Sequence, residues 1–231
     1  MRILVQALAF ASFVLFFSAE AKLIEVLKNE KSATKTITIG FLLEGFTNSD
    51  AKLDSEVGTW LTNVKTEAEA QLRKDLEMDV ILEISDSKVP RYELLRRIRT
   101  WSTGGQMHAD TVVDYMKRYF ANSYNPDILC LVTKDTLYGD NGLNDEPGYS
   151  KHKDLCTDMV PIIMQYNLMD PQKSGNLLFS LIKKSFPSNW DSLNKGQRKQ
   201  LLDSCNKQYK DPYADYDDYY VLPLYKDYVD K

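Results

Sequence analysis

A chain of 231 residues, 43% hydrophobic and 27% charged, is long enough to bury a substantial core. Its net charge of −4 removes the electrostatic basis for nucleic acid as a partner. Ten glycines and eight prolines are too few for a sandwich of many short strands, which leaves a helix-containing α/β domain.

Met1-Arg2, the apolar run Ile3–Phe17 and Ser18-Ala19-Glu20-Ala21 have the build of a secretory signal peptide: a basic start, an apolar middle and a small-residue end. The run is short for a bilayer and no second one follows. Cleavage after Ala21 is expected, giving a soluble secreted protein with no membrane partner. The fold then begins with Thr36–Leu43, an alternating β-branched strand. Asp54–Leu76 carries Val57, Trp60, Leu61, Val64, Ala68 and Leu72 on one stripe, which predicts a long helix. Met78–Ile84 alternates as a second strand. Pro90 opens a helix with Leu94, Leu95, Ile98 and Trp101 on one face and Arg91, Arg96, Arg97 and Arg99 around it. These arginines form a basic face that can stay solvated or receive an anion, including the acidic tail of the same chain.

Ser102–Gln106 reads as a loop and Asp110–Phe120 as a helix whose N-cap is Asp110. Asp127–Thr133 is a continuous apolar run, the mark of a strand buried on both faces. Lys134–Thr157 reads as a long polar loop. Met159–Tyr166 is a strand that Pro161 places at an edge. Leu177–Phe186 and Asn194–Asn206 have helical spacing. The order β-α-β-α-α-β, loop, β, α-α predicts a mixed, mostly parallel sheet flanked by helices. The domain runs over residues 22–208, followed by a tail at 209–231.

Three cysteines in a secreted chain allow one disulfide. Cys130 sits inside the apolar run and reads as a core residue, so Cys156–Cys205 is the expected pair. No Asn-x-Ser/Thr sequon occurs. The tail is the other compositional outlier. Of fourteen tyrosines, seven lie between Tyr209 and Lys231, among six aspartates and three lysines. It reads as an extended appendage. Tyr213, Tyr216, Asp217, Asp218, Tyr219 and Tyr220 are its expected partner-binding residues. Tyr216, Tyr219 and Tyr220 have the acidic context that suits sulfation, and a sulfated tyrosine suits a basic protein surface.

The order of elements, the run Asp127-Ile-Leu-Cys-Leu-Val-Thr-Lys-Asp135 and the loop Gly148-Tyr149 … Leu155-Cys156-Thr157 together resemble the reprolysin-type (adamalysin) metalloproteases, in particular their tick salivary branch. The resemblance implies a metalloprotease-like fold and a salivary role in host haemostasis or immunity. It also implies a zinc centre of three histidines with a glutamate beside the first. The chain departs from that pattern, since it has only His108 and His152. Aligning Asp191 with the aspartate that ends the family motif puts Ser180, Lys184 and Trp190 at the ligand positions and Leu181 at the base position. None of these side chains suits the role, so no catalytic residue, metal or cofactor is expected.

Two other readings compete. One is an atypical active metallopeptidase using His108, His152 and carboxylates of the loop in which Asp135, Asp140, Asn141, Asn144, Asp145 and Glu146 crowd together. Against it, His108 reads as a residue ahead of a helix, His152 as solvent-exposed, and the acidic loop lacks the spacing of a calcium site. The other is an unrelated secreted carrier with an apolar, aromatic pocket. The chain has no phosphate-binding glycine loop and no Gly-x-Ser-x-Gly elbow.

Overall fold

The structure, a computed structural model, describes residues 34–140 and 144–205. The segments expected to be a signal peptide and an acidic tail, and Asn141, lie outside the described residues. Five strands form the central sheet: β1 (Lys35–Leu43), β2 (Val80–Lys88), β5 (Ile128–Thr133), β7 (Gly148–Ser150) and β8 (Val160–Gln165). Their spatial order is β2-β1-β5-β8-β7. The first four are mutually parallel, and β7 runs antiparallel to β8. Helices α1 (Glu56–Leu76), α2 (Tyr92–Thr100), α3 (Ala109–Tyr119), α4 (Pro171–Lys184) and α5 (Lys195–Leu202) cover it. This is the mixed, mostly parallel α/β architecture expected from the alternation of strands and helices.

The sheet separates two cores. On one face, β1 residues Ile37, Ile39, Phe41 and Leu43 meet α1 through Trp60, Leu61, Val64 and Leu72, and α4 through Leu178, Leu181 and Ile182. On the other, Leu42, Leu129 and Leu131 meet Leu94 and Ile98 of α2 and Val112, Val113 and Met116 of α3. Every residue of β5 is buried, because both faces are covered. Helices α1 and α4 cross at close range at Gly175, where an added Cβ would lie 2.5 Å from Glu67 Cβ.

Local signals explain the helix starts. Ser55 caps α1 by accepting from the Gly58 N–H at 2.8 Å. Asn194 and Gln197 form a reciprocal capping box on α5.

Several expectations need correction. Helix α4 starts at Pro171, six residues before Leu177. Asp170 caps it and Pro171 occupies the first turn, where a missing N–H costs nothing. Ser102–Gln106 is a hairpin rather than a loop: β3 (Ser102–Thr103) pairs with β4 (Gln106–His108). Gly104 and Gly105 both take positive φ, as a two-residue hairpin turn demands. The segment Lys134–Thr157 contains β6 (Thr136–Tyr138), which pairs with β4, as well as β7.

Strand β8 is internal, not an edge. Its N–H groups alternate: Val160 and Tyr166 donate to Asp127 and Thr133 on the β5 side, and Gln165 donates to Pro147 on the β7 side. Pro161 falls on the β7 side, beyond Ser150–Ile162 where that pairing stops. Its missing N–H therefore removes no ladder bond.

Cys156 and Cys205 are joined in a disulfide, and Cys130 is a free, buried thiol whose pKa burial pushes up. A second tie closes the same end of the molecule: Lys35, 3% exposed at the start of β1, pairs with Asp203 just after α5.

Candidate functional site

The positions aligned with the zinc motif lie on α4 and the 3-10 turn Trp190–Ser192, and each is already engaged in the fold. Ser180 donates its hydroxyl to the Leu177 carbonyl at 2.8 Å. Leu181 is 1% exposed and packs into the core; its Cδ1 lies 2.8 Å from where a Cβ on Gly148 would sit. That glycine is what lets β7 lie against α4. Lys184 is exposed. Trp190 is buried and stacks on Phe186 with ring centroids 4.0 Å apart, while the Arg198 guanidinium lies over its ring at 5.3 Å. A hydroxyl bonded to its own helix, a core leucine, a solvated ammonium and a stacked indole do not fit a zinc centre.

The two histidines both attach to α3. His108 is itself the N-cap, which corrects the expectation of Asp110: its Nδ1 accepts from the Thr111 N–H at 3.4 Å and contacts Thr111 Oγ1 at 3.0 Å. The cap moves because β4 ends at His108 and the helix starts directly after it. Its Nε2 faces Asp140 Oδ1 at 3.8 Å, and its ring meets Tyr138 edge-on. Asp110, in the first turn, accepts from the Asp140 N–H at 3.0 Å and from the Tyr149 hydroxyl. Burial, followed by the bond to Asp110, pushes the Tyr149 pKa well up.

His152 is not solvent-exposed as expected; its side chain keeps only 19% of its surface. Lys151 and Lys117 explain why, since they pin its loop to α3. Lys151 Nζ reaches Asp114 at 2.7 Å, and Lys117 Nζ reaches Asp158 at 2.8 Å and the Met159 carbonyl at 2.6 Å. His152 Nε2 lies 3.2 Å from Asp114 Oδ1, but their alignment makes no hydrogen bond. Desolvation, then the charge of Lys117, lower its pKa; Asp114 and Asp154 oppose this without reversing it, and Lys151 adds to the lowering.

A histidine with a depressed folded pKa leaves the unfolded chain binding more protons, so its contribution is intact above pH 6.5 and is lost as pH falls below that value. We expect thermal stability to drop between pH 7.5 and pH 5.5, and His152→Gln to flatten that part of the profile, as scanning calorimetry can measure. An unchanged profile in the variant would contradict the assignment.

The acidic loop does not converge. Asp140 turns to His108, Asp145 lies 3.5 Å from the Gln106 amide, and Glu146 bridges to Leu137 through the backbone. Among the described residues no group of three or more His, Cys, Asp and Glu side chains could hold a metal ion.

One polar constellation was not anticipated. Glu44 follows β1 and is 8% exposed. Its carboxylate accepts from Thr133 Oγ1 at 3.0 Å and meets Arg99 Nε at 3.5 Å. Asp135 stands nearby, its pKa raised by burial and then by the charge of Glu44. These residues cluster at the carboxyl ends of β1 and β5, where the chain's crossovers diverge to opposite faces. Ligands favour that point in open α/β sheets. A charged residue directly after the apolar run of β1 was the available signal. In this structure the Glu44 oxygens bind β1, β5 and α2 together.

A cleft of about 400 Å³ opens at the opposite end of the sheet, between Asn125-Pro126-Asp127, Cys156–Met159 and Ser204. Pro126 and Met159 line it beside the polar groups of Asn125, Asp127, Thr157 and Asp158, and no aromatic ring does, unlike the aromatic pocket of the carrier reading.

No known protein-family profile matches the chain, and no curated protein does. Among solved structures it is similar to archaemetzincin (AmzA) from Methanopyrus kandleri, at 12% identity over 74% of this chain and 87% of that one, with a TM-score of 0.39. A likeness that distant carries no inference about chemistry. The α/β assignment rests on the strand order and helix placement described above.

Proposed function

We propose that this chain is a secreted, non-catalytic binding protein built on a metalloprotease-like α/β scaffold, and that its contact element is the acidic, tyrosine-rich tail. The observation that carries the reading is the fate of the motif positions: Leu181 belongs to the core and Trp190 to an aromatic stack, while His108 caps α3 and His152 lies half-buried against it. The helix that would present a metal in the resembling family is committed to packing. The reprolysin-type, salivary character is part of the proposal. It rests on the quoted runs Asp127–Asp135 and Gly148–Thr157 and on the order of the elements.

The tail supplies the chemistry for recognition. Tyr213, Tyr216, Tyr219 and Tyr220 alternate with Asp215, Asp217 and Asp218. Sulfation would add fixed negative charge to aromatic planes, a match for Arg- and Lys-rich faces such as those of clotting proteases and basic chemokines. Surface plasmon resonance of the full secreted chain against a clotting serine protease and a basic chemokine provides the test. Binding that weakens steeply with salt, and that is lost when the chain ends at Gln208, is the expected result. Equal binding by both forms would overturn the role of the tail. Stoichiometric zinc together with peptide hydrolysis would overturn the non-catalytic reading.

A further inference from the structure

We infer that the exposed arginine face of α2 is the intramolecular docking surface for the acidic tail. Helix α2 buries Leu94 and Ile98 and turns Tyr92, Arg96, Arg97 and Arg99 outward. Tyr92 is 73% exposed. Arg99 is drawn to Glu44, whereas Arg96 and Arg97 make no ion pair among the described residues. From Arg91 to Arg99 the sequence holds four arginines against one glutamate. This is a concentrated cationic face on a chain that is acidic overall.

The tail is its complement. Between Asp211 and Tyr225 there are four aspartates and no lysine or arginine. Reach permits the contact. The last described residue, Cys205, is fixed by its disulfide near the start of β1, where Asp203 holds Lys35. Helix α2 lies toward the other end, with Arg99 at Glu44 just past the strand. Nine residues of β1 span roughly 30 Å. Cys205 packs into the core on the opposite face of the sheet from α2, so the path is longer than the strand; the fifteen residues from Asn206 to Tyr220 extend to about 50–54 Å. Carboxylates set beside guanidinium groups, with Tyr92 available for stacking, would hold Tyr216–Tyr220 against the domain until a more basic surface competes for it. The inference stands apart from the proposed partner, since the contact lies within one chain and needs none.

The test uses the full chain with Tyr216→p-benzoylphenylalanine, irradiated and mapped by mass spectrometry. Crosslinks to the Tyr92–Thr100 peptide are expected, and their yield should fall several-fold in Arg96→Glu/Arg97→Glu and on raising salt to about 1 M, where screening acts within ~3 Å. Should the charge-reversed chain not fold, Arg96→Gln/Arg97→Gln and the salt titration of the unreversed chain carry the same test. Crosslinks concentrated on another part of the domain, crosslinks between two chains, or a yield insensitive to both salt and the arginine changes would each overturn the inference. A full chain that gives these crosslinks but binds neither a clotting serine protease nor a basic chemokine would fault the proposed function alone.

Discussion

Leu181→Glu is expected to prevent the domain from folding. The substitution introduces the acidic residue that the proposed zinc-peptidase alignment would place here, but the side chain is 1% exposed and faces the core with Leu178 and Ile182. Gly148 leaves no room, since Leu181 already fills the space beside its missing Cβ. An unpaired carboxylate in that position meets a desolvation penalty of several kcal/mol, on the order of the 5–15 kcal/mol that holds a typical domain together. The protein should be lost from the soluble fraction on expression, whereas Leu181→Met, which conserves volume, should cost less than about 1.5 kcal/mol. The yield of folded protein and thermal unfolding of the two variants decide the matter. A folded, stable Leu181→Glu protein would mean that this helix face is open after all, and the case for a scaffold committed to packing would fail.

Opening the disulfide should have the second-largest effect. Cys156 and Cys205 are 49 residues apart, and closing a loop of that length removes unfolded-state entropy worth about 4 kcal/mol by the chain-entropy relation. The bridge also anchors α5, an eight-residue helix with Leu202 as its buried side chain. Cys156→Ala/Cys205→Ala should therefore lower stability by ~2–5 kcal/mol and release α5 first, which hydrogen exchange would show as loss of protection over Lys195–Leu202. Equal protection in both proteins would mean that the Lys35–Asp203 pair and the packing of Leu202 hold the helix unaided.

The parts of this fold that were legible in the sequence are those in which one strong signal acts alone. The stripe from Val57 to Leu72 specified α1, and the uninterrupted run through Cys130 specified a strand covered on both faces. Misreadings arose where tertiary context settles the outcome. Pro161 argues for an edge only if its missing N–H faces a partner strand, and the length of β7 decides that. The hairpin at Gly104-Gly105 was readable from its two glycines, yet its strands are too short to show alternation. His108 looks like a residue preceding a helix because imidazole is an uncommon cap; only the placement of Thr111 reveals its use. The Glu44–Thr133–Arg99 cluster joins residues as far as 89 positions apart, and a single sequence carries no sign of such a meeting.

The sulfur bridge between Cys156 and Cys205 encloses β8, α4 and α5 in one covalent ring. The stretch between β8 and α4, with Met169 91% exposed, is the natural place for a protease to nick this half of the molecule. A cut there would free neither fragment, because each remains attached to the other through sulfur, and the severed α4 would keep its seat against α1 at Gly175. The ring thus makes the C-terminal half tolerant of cleavage.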